Sequence, residues 1–517
     1  MCIASEKRNP EWGGSDFLLL GGKMMTLSRK SVVSPFLLLL LVVGGLPSAH
    51  ALPAFARKYG MRCSACHETW PILNNFGLKF RDNGYQMMND RDSPVWQNPS
   101  YWPVSFRITP IWHRLSGLNE VDRYADEKVT GSQVQRITSS GFDLSGLDFH
   151  TGGTLDKNIS FYVLPSSDPT AAFHFETVMG RFDNILGSSW LNIKMGRFEL
   201  NNLLSEKRMV GLTGNGGIYQ TYHFIPVGDG NIFGQMGDNQ LGMEYVGHSV
   251  DDRTRVSAAL LSSSNGNVNL ITGANSYSGF FTFDQGIDAG KLGVQRLGAY
   301  AFVGDAATYY RTSAGVPIPG SGIGNKNFYR IGFTGQFYFG PHFDVNLVTQ
   351  HGEDNAWFGQ GYGDAIATNG NGVATATCSS PTAGCPLNNV PGTVLPAGAR
   401  APVWNGYTVE ARYVYSPQLI FIAHYDGIRM SQQANGPGYT LTGPTGIVGP
   451  SPSDFGNINN YDILVRYNPF MSSRAGMALH GEYDVLHQNG TGPISPSTGL
   501  ATNMNTNELL LGLDFAF

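Results

Sequence analysis

The feature that most restricts the fold is an alternation of apolar and polar residues, with a period of two, from about residue 104 to the end of the chain. In the last segment, Leu509 and Leu511 share one face, while Glu508 and Asp514 share the other. Successive side chains of a β-strand point to opposite sides, so each such segment is predicted to be a strand with one apolar and one polar face. The same pattern recurs at 329–339, 407–413, 461–468 and 477–485.

Composition indicates which of the two faces meets water. Charged residues make up 14 % of the 517 residues, whereas soluble proteins carry about 25 %. The 30 Phe, 23 Tyr and 8 Trp are too many for a disordered chain, and the net charge of −5 does not indicate nucleic-acid binding. The polar faces often carry several charges per strand, as in a water-filled lumen, so we expect the apolar faces to contact lipid.

These segments predict a mainly β fold, a transmembrane antiparallel β-barrel of about 16 strands, within a range of about 14–18, preceded by a small α-helical head. Seventeen segments alternate, but a bacterial barrel with both ends on the same side needs an even number, so the weak segment 217–226 is left out. Short and long connections then alternate along the barrel. The predicted strands start near residues 104, 138, 157, 171, 189, 238, 253, 276, 293, 326, 342, 404, 418, 459, 472 and 506.

Residues 1–51 are predicted to be a secretory signal peptide. The pair Arg29-Lys30 precedes the apolar run 35–46, and Ala49-His50-Ala51 has the small-residue pattern of a cleavage site. The run is too short for a transmembrane helix, which needs about 20 residues. A start at Met24 or Met25 gives a signal peptide of ordinary length, so we expect translation to begin there.

Export permits disulfide bonds. Cys378 and Cys385 lie in a polar, glycine-rich stretch with no His or acidic residue beside them in sequence, which argues against a metal site. We predict that they form a disulfide closing a small surface loop.

The sequence Cys63-Ser64-Ala65-Cys66-His67 has the spacing of a c-type haem attachment site. Two thiols at this spacing add to the two vinyl groups of the porphyrin, and the adjacent His supplies the proximal iron ligand. A thioredoxin-like redox pair would need a βαβ context, which the pattern around the motif lacks. One covalent haem c is therefore predicted, held by Cys63 and Cys66, with His67 as the proximal ligand.

The sixth iron ligand is open at this point. A single-haem c-type site often takes Met or His as this ligand, and Met87 and Met88 lie about 20 residues beyond His67, after Gly84-Tyr85. We favour Met87 or Met88, with His113 as the second choice, and an open or water-ligated site as a further alternative. Each of these residues also has a plain structural interpretation, as a packing residue or a polar group of the lumen.

Residues 52–88 are predicted to form the head, residues 89–103 a linker, and residues 104–517 the barrel. Helical spacing after the motif predicts one helix, with a cap at Thr69 and an end at Gly84. The apolar positions that carry this spacing are Trp70, Leu73, Phe76 and Phe80, with Pro71 allowed in the first turn. A unit this small needs its cofactor as part of its core.

Residues 52–86 resemble the fused outer-membrane cytochrome–porins, a family that includes the ferrous-iron oxidases of iron-oxidising bacteria. The residues that carry the resemblance are Leu52-Pro53-Ala54-Phe55-Ala56-Arg57, Gly60, Cys63, Cys66-His67, Pro71, Leu73, Phe76-Gly77, Phe80 and Gly84-Tyr85. The remaining residues match only in architecture. The resemblance implies a haem head in or against the barrel lumen and electrons that cross the outer membrane.

The functional hypothesis is an electron-transfer protein of the bacterial outer membrane, in contact with its lipid, with the haem head in the periplasm or in the lumen. It would connect an extracellular donor or acceptor, Fe(II) being one candidate donor, with a periplasmic carrier such as a c-type cytochrome, in either direction. The alternatives are a solute porin with a haem-based sensing head and an enzyme resembling a peroxidase with an open haem site. No catalytic residue is predicted.

Several acidic residues lie on the predicted polar faces, and they could form a surface that attracts cations. The residues concerned are Glu410, Asp462, Glu482, Asp484 and Asp514. We interpret them as ordinary lumen residues in contact with water.

Overall fold

The computed structural model describes residues 53–69, 72–87, 94–96, 103–121, 133–167, 173–204, 211, 239–262, 277–308, 324–353, 403–432, 441–443, 446–449, 457–471, 475–488 and 504–517. The predicted signal peptide, Met88 and the predicted disulfide of Cys378 and Cys385 lie outside these residues. No helix in the described part of the chain has the length and apolar character needed to cross a membrane.

Sixteen antiparallel strands form a closed barrel, which confirms the predicted fold. Along the barrel, each strand pairs with the strand before and after it, and the last strand pairs with the first to close the sheet. The barrel strands are β3 (Val104–Val121), β4 (Gln133–Asp156), β5 (Ile159–Ser167), β6 (Phe173–Phe182), β7 (Asn192–Glu199), β8 (Asn239–His248), β9 (Thr254–Ser262), β10 (Tyr277–Asp288), β11 (Val294–Thr308), β12 (Gly324–Tyr338), β13 (Phe343–Glu353), β14 (Val403–Ser416), β15 (Leu419–Gln432), β18 (Ile458–Met471), β19 (Gly476–Gln488) and β20 (Met504–Ala516). The short strands β16 (Leu441–Gly443) and β17 (Gly446–Gly449) form a separate hairpin.

The apolar faces of the strands point outward and the polar faces point inward. On β18, Ile463 is 64 % exposed on the outside, whereas its neighbours Asp462 and Leu464 are buried inside. Other strands also expose large apolar side chains, among them Phe281, Phe333 and Tyr413. A soluble sandwich would bury this apolar face, so the arrangement is that of a barrel surrounded by lipid.

The two ends of the barrel differ in the length of their connections. At one end, called here the short-turn end, the connections include 157–158 and 417–418. At the other end they include 200–238 and 354–402. The chain enters β3 and leaves β20 at the short-turn end, where Phe106 and Phe517 exchange two backbone hydrogen bonds of 2.8 and 2.9 Å.

The interior of the barrel differs from the water-filled lumen predicted from the sequence. The five acidic residues interpreted as wetted are all buried, at 0–4 % exposure for Glu410, Asp462, Glu482, Asp484 and Asp514. Inward apolar side chains also pack together, as in the cluster of Trp404, Ile428, Ile458 and Leu486. The prediction was wrong because alternation along one strand does not reveal what fills the space that the strands enclose.

The head consists of short elements. These are helix α1 (Pro53–Tyr59), a 3₁₀ helix (Cys63–Ala65), strands β1 (His67–Thr69) and β2 (Ile72–Leu73), and helix α2 (Asn75–Asp82). The predicted helix after Thr69 begins later than expected, because His67 pairs with Leu73 in the β1–β2 hairpin and the side chain of Asn74 caps α2. The predicted end is confirmed, since α2 stops before Gly84, which adopts a positive φ of 73°.

Candidate functional site

The predicted attachment motif lies in a tight turn of the head. Cys63–Ala65 forms a 3₁₀ helix, Cys66 continues the turn, and His67 begins β1. A 3₁₀ helix has three residues per turn, so backbone positions 63 and 66 lie one turn apart on the same side. Cys66 and His67 are both half-buried.

Helix α2 packs directly against this turn. The Asn74 backbone N–H donates to the Cys66 carbonyl oxygen (2.9 Å), and its Nδ2 donates to the Ala65 carbonyl oxygen (3.1 Å). The Asn74 Oδ1 in turn accepts a hydrogen bond of 2.9 Å from the Gly77 backbone, capping α2. A Cβ on Gly77 would overlap the Cys66 carbonyl oxygen, so only glycine permits this approach.

The donor set of this turn fits a covalently attached haem. Thiols three residues apart, followed directly by an imidazole, are the groups that c-type attachment uses. Asn74 and Gly77 tie the same turn to α2, so Cys66 and His67 belong to an ordered segment. Among the described residues, no group of three or more His, Cys, Asp or Glu side chains is arranged to hold a metal ion.

Four aromatic side chains form the core of the head. Phe55 stacks on Tyr85 with ring centroids 4.9 Å apart, and the Phe80 ring meets the rings of Phe55 and Tyr59 edge-on at 5.4 and 5.5 Å. Burial raises the pKa of Tyr85 to about 12. The Tyr85 ring also lies 5.9 Å from Tyr162 on β5, so the head core extends to the barrel wall.

Three inward-facing arginines of the barrel wall bind the head. This arginine sector consists of Arg181 on β6, Arg255 on β9 and Arg296 on β11. Arg255 forms an ion pair with Asp82, the last residue of α2, and Arg181 donates to the carbonyl oxygens of Arg81 (2.9 Å) and Asp82. Arg296 Nε donates to Asn75 Oδ1 (3.1 Å), at the other end of α2. Both ends of α2 are therefore held by the inner wall.

Asp82 is the central anion of this contact. Its side chain is 2 % exposed and also pairs with Arg81 at 2.9 Å. Burial alone would raise the pKa of Asp82, but the guanidinium groups of Arg255, Arg81 and Arg181 outweigh this effect and hold the pKa well below its usual range. Asp82 is therefore ionised at neutral pH.

The side of the head next to the attachment motif contacts the opposite wall. Glu68, directly after His67, accepts a hydrogen bond from the Tyr338 hydroxyl (3.1 Å) and lies 3.4 Å from Arg412. Ile72 is buried in a cluster with Ile420, Ile422 and Leu464 of β15 and β18. The head thus spans the barrel near its short-turn end, with contacts on both sides.

The candidates for the sixth ligand lie in different places. Met87 is half-buried, two residues beyond Tyr85. The Nδ1 of His113 lies 3.2 Å from Glu508 Oε1, so the plain interpretation of His113 as a polar group of the lumen matches an observed contact. The predicted attachment residues Cys63, Cys66 and His67 lie within one five-residue segment, while no described contact selects a sixth ligand.

Several functional residues of the head–barrel contact were not found from the sequence. Asp82 and Arg255 lie 173 positions apart, so no local pattern joins them. The segment after β7 was likewise missed: Leu200, Leu203 and Leu204 are buried, and Asn201 accepts a hydrogen bond of 3.2 Å from Arg81. An isolated arginine on the polar face of a predicted strand is the signal that the sequence offers for such contacts.

A closed antiparallel barrel with an apolar outer face and a segment of its own chain held inside defines the class of protein, a membrane-spanning antiparallel β-barrel. No protein-family description and no curated protein matches the sequence.

Solved structures with a similar fold are outer-membrane channels and porins of low sequence identity. The outer membrane channel DcaP of Acinetobacter baumannii is 10 % identical, with 80 % of this chain and 97 % of that chain covered and a TM-score of 0.43. The anion-selective porin from Comamonas acidovorans is 11 % identical, with 80 % and 100 % covered and a TM-score of 0.43. OmpT of Vibrio cholerae is 10 % identical, with 81 % and 99 % covered and a TM-score of 0.41.

Proposed function

We propose that the protein is an outer-membrane c-type cytochrome–porin. In this proposal the head carries one covalent haem c on Cys63 and Cys66, with His67 as the proximal ligand. The barrel holds that head within the outer membrane, with the short-turn end on the periplasmic side, as in bacterial barrels. The protein then carries electrons between an extracellular redox partner and a periplasmic c-type cytochrome, and Fe(II) is a candidate donor.

The observation that carries the proposal is the attachment of the motif-bearing segment to the inner wall. Glu68, the residue after His67, is bonded to Tyr338 and Arg412 of the barrel. Asn75 and Asp82, at the two ends of the helix that packs on the motif, are bonded to Arg296 and Arg255. A cofactor on Cys63 and Cys66 would therefore belong to a segment fixed inside a membrane-spanning barrel.

A redox group in this position has a physical use. The hydrocarbon of the membrane insulates the two aqueous sides from each other, so a periplasmic carrier cannot reach a donor that stays outside. When bound, the haem supplies one-electron chemistry. The chain itself holds the attachment turn through Asn74 and Gly77, and it surrounds the head with buried side chains that exclude water.

Covalent attachment tests the proposal first. The exported protein is purified and separated on a denaturing gel, where only covalently bound haem remains for haem staining. We expect the wild type to stain and the double variant Cys63→Ala/Cys66→Ala to lose the stain. Ser64→Ala, which changes an exposed residue between the two cysteines, is the matched control and should stain like the wild type.

Absorption spectra of the purified wild type then test the electron-transfer function. A six-coordinate haem that Fe(II) reduces supports it. A five-coordinate haem that turns over peroxide would support the peroxidase alternative and contradict the proposal. Staining that survives in the double cysteine variant would show that the motif is not the attachment site.

A further inference from the structure

The inner wall of β14, β15, β18 and β19 carries a group of buried acidic and histidine side chains that the proposed function does not use. This acidic sector consists of Glu410, His424, Asp426, Asp462, His480 and Glu482, all of which are at most 7 % exposed. In the strand register, Glu410 lies opposite His424 and His424 lies opposite Asp462. The six residues therefore form a continuous patch across four neighbouring strands.

The two nitrogens of His424 both face carboxylates. Nδ1 lies 3.1 Å from Glu410 Oε2, and Nε2 lies 2.6 Å from Asp426 Oδ2. A neutral imidazole has one N–H and one lone pair, so it can donate to only one of two ionised carboxylates. Hydrogen bonds at both nitrogens need two protons among the three groups, one more than a neutral His between two ionised carboxylates provides.

The contact between Asp462 and Glu482 also needs one proton more than two ionised carboxylates provide. Their side chains are hydrogen-bonded to each other, and a Cβ placed on Gly211 would lie 3.6 Å from Asp462 Oδ2 and 3.5 Å from Glu482 Oε1. Both carboxylates therefore lie beside Gly211. Two ionised carboxylates have no hydrogen to donate, so this contact requires one proton on the pair. The other oxygen of Glu482 accepts from His480 Nε2 at 2.6 Å.

A buried amide beside the pair is a second, independent observation. Asn460 lies two residues before Asp462 on the same face of β18, opposite Asp426, and is 0 % exposed. Among the described residues, neither Oδ1 nor Nδ2 of Asn460 has a hydrogen-bond partner, and Asp462 Oδ1 has none either. Buried polar groups of this kind take a ligand that both donates and accepts, which water does.

The charges around the pair come from three neighbouring strands. His424 and Asp426 face it from β15, Glu410 lies behind them on β14, and β19 adds His480 and Asp484, which is directly opposite Asp462. Arg412 Nε lies 3.8 Å from Glu410 and also pairs with Asp344 and Glu68. Within the described residues the carboxylates of this patch thus outnumber its cations, and buried like charges favour protonation of one of them.

We propose that Asp462 and Glu482 share one proton and form, with His424, a proton-exchanging site on the inner wall of the barrel. The proton arrives from hydronium, which leaves as water, and it returns to water when the site is deprotonated. While the pair holds the proton, it lies between a carboxylate oxygen of Asp462 and one of Glu482. The site takes protons and needs no haem, so it stands apart from the proposed function.

Infrared spectroscopy of the purified full-length protein tests the proposal. A protonated carboxyl group has a carbonyl stretch that is separate from the carboxylate bands and shifts in heavy water. We expect this band at neutral pH in the wild type and its loss in both Asp462→Asn and Glu482→Gln, because each variant removes one of the oxygens that share the proton. Asp514→Asn is the matched control: Asp514 is equally buried but pairs with Arg107 and Arg466, so the band should remain.

Three results would overturn the proposal. The first is a wild-type spectrum without the band, and the second is a band that persists in both variants while the strand content is unchanged. The third is loss of the wild-type band on addition of Mg²⁺ at constant pH, which would make the pair a cation site. The conservative substitutions keep the shape of each side chain, and circular dichroism of each variant checks that the barrel has formed.

Discussion

The arginine sector and the acidic sector lie on different parts of one inner wall. They differ in how their buried charges are compensated. Each places charge where water is largely excluded, which is costly unless the charge is compensated. In the arginine sector, Arg181, Arg255 and Arg296 are compensated partly by the barrel's own Asp183 and Asp252. The head supplies the rest, through Asp82, backbone carbonyl oxygens and Asn75. In the acidic sector, we infer that protons supply the compensation. The first sector therefore depends in part on the head, whereas we infer that the second is compensated by protons.

The largest effect that separates the two sectors is expected from Asp82→Ala. The variant removes the carboxylate nearest to the buried Arg255 and leaves it paired with Asp252 at 3.7 Å. Breaking a buried ion pair in this way costs about 3–5 kcal/mol. We expect hydrogen exchange in residues 75–87 to accelerate strongly, while exchange in β18 and β19 stays as in the wild type.

Asp251→Ala is the control for this experiment, because Asp251 pairs with Arg253 on the exposed surface of a short turn. Its exchange pattern should match the wild type, since exposed pairs contribute little. Unchanged protection of residues 75–87 in Asp82→Ala would mean that the ion pair does not hold the head.

A smaller effect is expected from Gly84→Ala. Gly84 has a φ of 73°, and a Cβ there would overlap the Asp183 carboxylate of the barrel wall. Gly60→Ala is the matched control, because Gly60 has a φ of 65° but a Cβ there meets nothing within 4 Å. Both changes carry the cost of a left-handed conformation, about 1–2 kcal/mol, and Gly84→Ala adds the overlap.

The temperature at which the head is released from the barrel, detected by protease cleavage of the released head, ranks these two variants. Gly84→Ala should release the head at a lower temperature than Gly60→Ala. Equal release temperatures would indicate that the wall at Asp183 moves away without cost and that contact at this point does not position the head.

The smallest expected effect is that of mild acid on the arginine sector. The folded-state pKa of Asp82 lies below its usual value of about 3.9. The stabilisation from its ion pairs is therefore fully present above that value and is lost only as the pH falls through the lower folded pKa. Protection of residues 75–87, measured at about pH 7 and about pH 5, should be the same. A clear loss by about pH 5 would show that another group controls the contact.

The sequence predicted the parts of this molecule that depend on local pattern. Alternation such as that of Tyr461 and Ile463 against Asp462 located the strands, and the requirement for an even number led to sixteen. The motif at Cys63–His67 stands in consecutive residues, so it was visible at once. The start of α2 was missed because the Asn74 cap and the β1–β2 hairpin compete with the helical spacing that begins at Trp70.

The contacts that fill the barrel were beyond such reasoning. Asp82 and Arg255, or Glu68 and Arg412, become neighbours only when a sheet of sixteen strands closes around the head. The burial of Glu482 likewise depends on what lies opposite it across the interior. The sequence of one strand does not show what lies opposite it across the interior. The inner wall was therefore predicted to be in contact with water.

Electron transfer across a sealed membrane tests the central claim most directly. The protein is reconstituted into liposomes that contain an oxidised c-type cytochrome, and Fe(II) in a form that does not cross the bilayer is added outside. We predict that the enclosed cytochrome is reduced with the wild type and with Ser64→Ala, and that it stays oxidised with Cys63→Ala/Cys66→Ala. Reduction at the wild-type rate in the double cysteine variant would contradict the account, because the electrons would then cross without the head's haem site.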